Sequence, residues 1–299
     1  MKTASFAHRR EYLLLEFIAL GFRRLPLSWA RRFAAAVAWL ASDLIKLRRR
    51  VAIDNLKRAY PKSQLSDLSK IYRHCWRHFL QVGAEMARLP DITEEFIQEW
   101  VDLSQRSVLT RILEQGRGCL VVSGHFGNWE WMGGSMSRLG YPVSYVVTSQ
   151  SNPLVEAWLD RMRKAAGIEI IPKREAVKGV LQALKRNRVV SIMCDQDAGE
   201  AGVFTPFFGR PASTPRGPAL FYLKTQVPIV FAAAPRESDG KYHVIIERLE
   251  FSNLPENREE QEAEIMRRIT ARLEQEIRRH PEQWLWLHRR WKTQPPNLS

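Results

Sequence analysis

The residues best suited to chemistry sit in the stretch GCLVVSGHFGNWEWMGG, Gly118 to Gly134. Cys119 to Val122 reads as a short buried strand that ends at Ser123-Gly124 and delivers His125 to a turn. Gly127 permits a tight reversal, Asn128 suits a helix N-cap, and Trp129 to Met132 can open a helix. A histidine on a strand-to-helix turn, followed five residues later by Glu130, fits a general base held by a carboxylate. On a continuous helix a five-residue spacing does not share a face, so the turn must bring the two together. Backbone N–H groups at the new helix start are candidate donors to a developing oxyanion. The plainer alternative is a hydrogen-bonded structural histidine with Glu130 merely favoured in a first helical turn.

A second polar cluster follows the apolar run Val189 to Cys194, which brings Asp195-Gln196-Asp197 to a strand end. Three roles stand open for the two aspartates: hydrogen bonds to a sugar acceptor, a place in the charge network of His125, or oxygen ligation of a hard metal. The metal role is the weakest, because no third ligand accompanies them, and no metal is expected. The segment from Ala198 to Arg216 is rich in glycine and proline and predicts a constrained loop. It carries Phe204, Phe207 and Phe208, either pins to the core or an apolar wall for an acyl chain. Arg161, Arg163 and Lys164 offer charge for a phosphate, or line an ordinary solvated helix face.

These groups need a scaffold. Apolar runs of strand length alternate with helical stretches from Gly118 to Arg248, at Cys119 to Val122, Val143 to Val147, Ile168 to Ile171, Val189 to Cys194, Ile229 to Ala233 and Val244 to Ile246. Helices are predicted over 128–139, 153–166, 174–186 and 216–225. That alternation predicts an α/β fold: a single catalytic domain with a mostly parallel central sheet flanked by helices. Ligands in such folds bind beyond the carboxyl ends of the strands, where His125 falls. Upstream, residues 48–60 and 66–89 read as helices, with His74 and His78 flanking the apolar stripe of the second as polar-face residues. A last helix carries Ile265, Ile269, Leu273 and Ile277 at four-residue spacing, and an aromatic, basic tail runs from Trp284 to Lys292.

With 299 residues and 45% hydrophobic content the chain can bury a large core, and a net charge of +14 points to anionic partners. Residues 1–60 hold thirteen Lys or Arg against four Asp or Glu, interleaved with apolar runs and with Trp29 and Trp39. That pattern favours an anionic membrane surface over a duplex, and no nucleic-acid motif is visible. Neither Tyr12 to Phe22 nor Phe33 to Leu40 is long enough for a confident membrane span, so both are read as amphipathic membrane-anchoring helices, with a single tilted span within 11–47 as the alternative. The expected division is 1–60 as membrane-associating helices and 61–299 as the catalytic domain. Cys75, Cys119 and Cys194 lie far apart and are read as reduced and buried; no signal-peptide cleavage pattern is evident, which predicts a cytoplasmic-side protein.

Three motifs in order, GHFGNWE (124–130), DQDAGEAGVFTPFFGRPAST (195–214) and PEQWLWLHRRWK (281–292), together with Asn55-Leu56, resemble the bacterial lipid A biosynthesis acyltransferases of the late lauroyl or myristoyl group. The resemblance spans nearly the whole chain. It implies an inner-membrane enzyme at the cytoplasmic face that moves a fatty acyl chain from acyl carrier protein, or coenzyme A, to a hydroxyl of an acylated, phosphorylated glucosamine disaccharide, with no further cofactor. It places the base on His125 and its acidic partner on Glu130. From the residues themselves, Asn128, Arg161, Arg163, Asp195, Asp197, Phe204, Phe207 and Phe208 are the expected substrate-binding set. Pro215, Arg216 and Pro218 depart from the best-known lipid A enzymes. Acyltransferases for other glycolipids share the core, so another glycolipid or lysophospholipid acceptor is the alternative, with a catalytically silent lipid-binding protein as the rival of another class.

Overall fold

A computed structural model describes residues 4–295. Helices α1 (Phe6–Arg24) and α2 (Leu27–Trp39) come first, and α2 runs on into a π-helical turn at Leu40–Leu44. Then follow α3 (Arg49–Ala59), α4 (Leu65–Met86), α5 (Glu94–Trp100), strand β1 (Val101–Asp102) and α6 (Ser107–Leu113). The alternating region is β2 (Cys119–Ser123), α7 (Trp129–Arg138), β3 (Val143–Val147), α8 (Pro153–Ala165), β4 (Glu169–Pro172), α9 (Ala176–Lys185) and β5 (Val189–Met193). After it come β6 (Val203–Phe207), β7 (Arg210–Thr214), α10 (Gly217–Thr225), β8 (Ile229–Ala233), β9 (Tyr242–His243), β10 (Ile245–Leu249) and α11 (Arg258–Arg279).

The central sheet has the order β10-β8-β2-β5-β3-β4, parallel throughout except for β10, which runs antiparallel along β8. Alternate residues of each strand feed two cores, as a period of two requires. Leu120 and Val122 of β2 pack with Ile192, Phe231, the α3 and α11 residues Leu56 and Leu273, and Trp284. Cys119 and Val121 face the other way, onto Trp131, Met136, Trp158 and Val143. Burial on both faces explains why these strands are continuous apolar runs rather than alternating ones.

The stretch 198–216, expected as a loop, instead holds the antiparallel hairpin of β6 and β7. Its two-residue turn, Phe208-Gly209, has positive φ at both positions (51° and 71°), as a type I′ turn requires. A phenylalanine there is strained, and its burial compensates: the Phe208 ring packs on Tyr60 and Trp286 and its N–H donates to Glu274 Oε2 at 2.5 Å. Phe207 is likewise buried against Trp284 and Trp291. These two rings pin the hairpin to the core and are not an open acyl wall; only Phe204 stays half-buried at the surface.

Among the described residues no helix is long and apolar enough to cross a membrane. Helix α2 packs along α4, and α1 along α8. The outward side of this segment nevertheless shows Phe6, Leu13, Phe17, Trp29, Phe33, Trp39, Leu44 and Ile45 to solvent.

Candidate active site

The sheet register builds the site. Ser123 of β2 pairs with Met193 of β5, so His125 and Asp195 each stand two residues past the last pair, side by side at the carboxyl ends of neighbouring strands. The His125 ring Nδ1 lies 2.9 Å from Asp195 Oδ1, and the His125 backbone N–H donates to Asp195 Oδ2 at 2.7 Å. Trp284, from the C-terminal tail, donates its indole N–H to the same oxygen at 2.9 Å. A carboxylate can only accept, so Nδ1 carries the proton and Nε2 holds the lone pair. Among the described residues Nε2 has no hydrogen-bond partner, and the His125 side chain keeps 24% exposure.

Burial opposes charging of His125, but the Asp195 carboxylate and its hydrogen bond outweigh it and hold the imidazole pKa above its ordinary value, with Glu130 adding in the same direction. Burial likewise opposes ionisation of Asp195. His125 and the two N–H donors prevail and keep that carboxyl below the usual carboxylate range.

Asp195, rather than Glu130, therefore orients the imidazole. Asn128 caps α7 by accepting from the Trp131 N–H, and the helix then turns Glu130 away, onto Arg163 at 2.6 Å and the Trp129 indole N–H at 3.0 Å. The Trp129 ring sits edge-on to His125, 5.1 Å between centroids. Burial works against the charge of Arg163, but Glu130 more than restores it. Glu130→Gln is expected to cost about 1.5–3 kcal/mol, the worth of a hydrogen bond to a charged group, read by urea unfolding. Its effect on the pH profile should be smaller than that of a change at Asp195.

The other expected site residues are placed as follows. Asn128 is wholly buried, its amide donating to Glu85 Oε2 at 2.8 Å, so it holds the turn and does not reach a substrate. Arg163 is committed to Glu130 in a largely buried pair and is no ready phosphate ligand, whereas Arg161 makes an exposed surface pair with Glu16 on α1. Asp197 accepts from the Gly199 N–H and from both the N–H and hydroxyl of Thr293, so it ties the tail down. The amides of Phe126, Gly127 and Asn128 are spent on Gly124, Gln283 and Ala234 carbonyls, and among the described residues those of Trp129 and Glu130 have no acceptor.

Gly127 is required: at φ +63° a Cβ would lie 2.0 Å from the Ala234 carbonyl oxygen. Behind it, His78 is buried, not on a polar face. Its Nε2 lies 3.0 Å from Gly127 O, and burial together with Arg236 pushes its pKa down to about 3, so the neutral ring donates there. All three cysteines are free and buried, and burial pushes the Cys75 and Cys119 thiols up to about 12. Between α7 and the sheet, Met132, Met136, Val121, Tyr145 and Val189 line an apolar cavity of about 30 Å³, too small as it stands for an acyl chain.

A histidine with a free Nε2, braced by a carboxylate at a parallel-sheet edge, can take a proton from a hydroxyl. The family comparison decides the wider identity: residues 2–293 match the model of the bacterial lipid A biosynthesis acyltransferases. The chain belongs to this family. Among its relatives, the lipid A biosynthesis palmitoleoyltransferase of Escherichia coli (strain K12) is 26% identical, over 92% of this chain and 94% of its own length. The lauroyltransferase of the same organism is 27% identical over 92% and 89%. A phosphatidylinositol mannoside acyltransferase of Mycobacterium tuberculosis is 26% identical over 74% and 67%. As a lipid A acyltransferase family member the chain is an acyltransferase.

Proposed function

We propose that this acyltransferase moves a fatty acyl chain from an acyl carrier protein or coenzyme A thioester to a hydroxyl of a glycolipid, a lipid A precursor in the first instance, with His125 as general base. The free Nε2 of His125, with Nδ1 held by Asp195, carries this reading. Nε2 takes the hydroxyl proton of the acceptor, the oxygen attacks the thioester carbonyl, the carbon–sulfur bond breaks, and the imidazolium returns the proton to the departing thiolate. The first-turn amides of Trp129 and Glu130 are the donors available to the oxyanion. The mycobacterial relative supports a mannosylated phosphoinositide as the alternative acceptor. Mass spectrometry of products from a panel of acyl thioesters and glycolipids tests the assignment: an added acyl group on a lipid A precursor is expected, and acylation of none of the glycolipids would overturn it.

The same reading places the protein on the cytoplasmic face of the inner membrane. Exposed Phe17, Trp29, Phe33 and Trp39 form an apolar face that a water-facing protein rarely tolerates, and Arg9, Arg10, Arg24 and Arg32 accompany them on the same helices. Deleting this segment is a poor test, because Arg31 on α2 pairs with buried Glu85. Changing Trp29, Phe33 and Trp39 to serine instead is expected to lower co-sedimentation with anionic vesicles at least tenfold with unchanged circular dichroism; unaltered vesicle binding would count against the membrane face.

A further inference from the structure

Apart from the catalytic pair, the chain carries a basic cleft of about 410 Å³ between α3 and the C-terminal tail. Arg50, Arg58, Arg289 and Lys292 line it against a single carboxylate, Asp54. All four cations are exposed, and none has an acidic partner among the described residues, although most other arginines of the chain do. Like charges gathered without counter-ions repel one another, a cost that an anionic ligand relieves. Trp291, one wall of the cleft, is 4% exposed and packs its ring on buried Phe207, which holds that wall in place.

The cleft adjoins the chemistry through the tail. His288 Nε2 accepts from the Asp197 N–H, and Thr293 donates to the Asp197 carboxylate, so the segment bearing Arg289 and Lys292 is a loop closed on Asp197, two residues from Asp195. Asn55, on the floor of the cleft, donates to the Trp286 and His288 carbonyls. In the sequence, Arg50 follows the exposed apolar residues Leu44, Ile45 and Leu47 by only a few positions.

We propose that this cleft binds a phosphate group of the lipid acceptor and so sets which sugar hydroxyl reaches His125. The proposal rests on the glycolipid acyltransferase reading and adds the recognition element to it. Arginine suits the role through its forked geometry on phosphate oxygens.

The test compares the wild-type protein, Arg289→Gln/Lys292→Gln, and a control of equal charge loss at exposed positions on and just after α6, Arg111→Gln/Arg117→Gln. Binding to phosphatidylcholine vesicles carrying a phosphorylated lipid A precursor or its dephosphorylated counterpart is measured alongside acyl transfer. Wild type and control should prefer the phosphorylated lipid about tenfold, and the cleft variant should lose that preference. In transfer, the cleft variant should raise KM for the phosphorylated acceptor about tenfold, with KM for the acyl donor unchanged. A preference retained by the cleft variant overturns the proposal, as does a rise confined to the donor KM, which would assign the cleft to the carrier's phosphate. A wild type that shows the binding preference but transfers no acyl group to any glycolipid overturns the acyltransfer reading and leaves the cleft standing.

Discussion

His125→Ala is expected to lower kcat for acyl transfer by about 100- to 10,000-fold, the usual worth of a positioned general base, while the fold persists. Fold should survive because the imidazole is partly exposed and its loss leaves Asp195 two N–H donors, from the His125 backbone and Trp284. Asp195→Asn should fall in the same range for a different reason: an amide at Asp195 no longer enforces a proton on Nδ1, and the wrong tautomer points its lone pair away from the substrate. The two variants separate in their pH dependence. The base works only when neutral, and Asp195 holds its pKa above the ordinary value, so the wild-type rate falls as pH drops through that raised value. Removing the carboxylate charge lowers the imidazole pKa, and the acid limb of the Asp195→Asn profile moves to lower pH. A pH–rate series for wild type, Asp195→Asn and Glu130→Gln checks this, and an unmoved acid limb in Asp195→Asn would falsify the pairing.

Glu85→Ala is expected to cost about 3–5 kcal/mol, the range for breaking a buried ion pair by deleting one partner. Glu85 is wholly buried, 2.6 Å from Arg31 Nε and 3.0 Å from Arg236 Nη2, and it accepts from the Tyr242 hydroxyl at 2.5 Å and the Asn128 amide at 2.8 Å. Alanine would strand two guanidinium groups, a hydroxyl and an amide in a dry site. The loss is a large fraction of the roughly 5–15 kcal/mol that holds a typical domain together, so poor soluble expression or a much lower urea midpoint is expected. Unchanged unfolding would show that water replaces the carboxylate. Because Arg31 belongs to α2 and Asn128 caps α7, this network ties the N-terminal helices to the His125–Asn128 turn.

The parallel strands were legible in the sequence because strands buried on both faces are written as unbroken apolar runs, and β3 and β8 fall where those runs lie. The β6–β7 hairpin was not. Pro206 and Pro211 sit inside its strands, where proline argues against pairing, and its Phe208-Gly209 turn lacks the usual Asn-Gly or Asp-Gly signal. His125 was legible from its turn, but its partner was not, because nearness along the chain favoured Glu130. The true partner comes from β5, which the topology inserts between β2 and β3. Periodicity does not reveal strand order, and only the register of β2 on β5 sets 125 beside 195. Asn128, read as a cap, kept that role, and the same cap turned Glu130 away. Trp284 and Gln283, which brace Asp195 and the Gly127 amide, carried only the signal of an aromatic, basic tail.

That tail has a consequence in time. Trp284 holds Asp195, the Leu285 N–H donates to the His125 carbonyl, the Gln283 carbonyl accepts from Gly127, and Thr293 closes on Asp197. The braces of a site built on β2 and β5 thus come from a segment that begins 90 residues after β5 and 160 residues after β2. A ribosome releases that segment long after the strands it secures. A chain cut before Trp284 would keep the strands but lose these braces, and His125 and Asp195 would no longer be held against each other from the tail side.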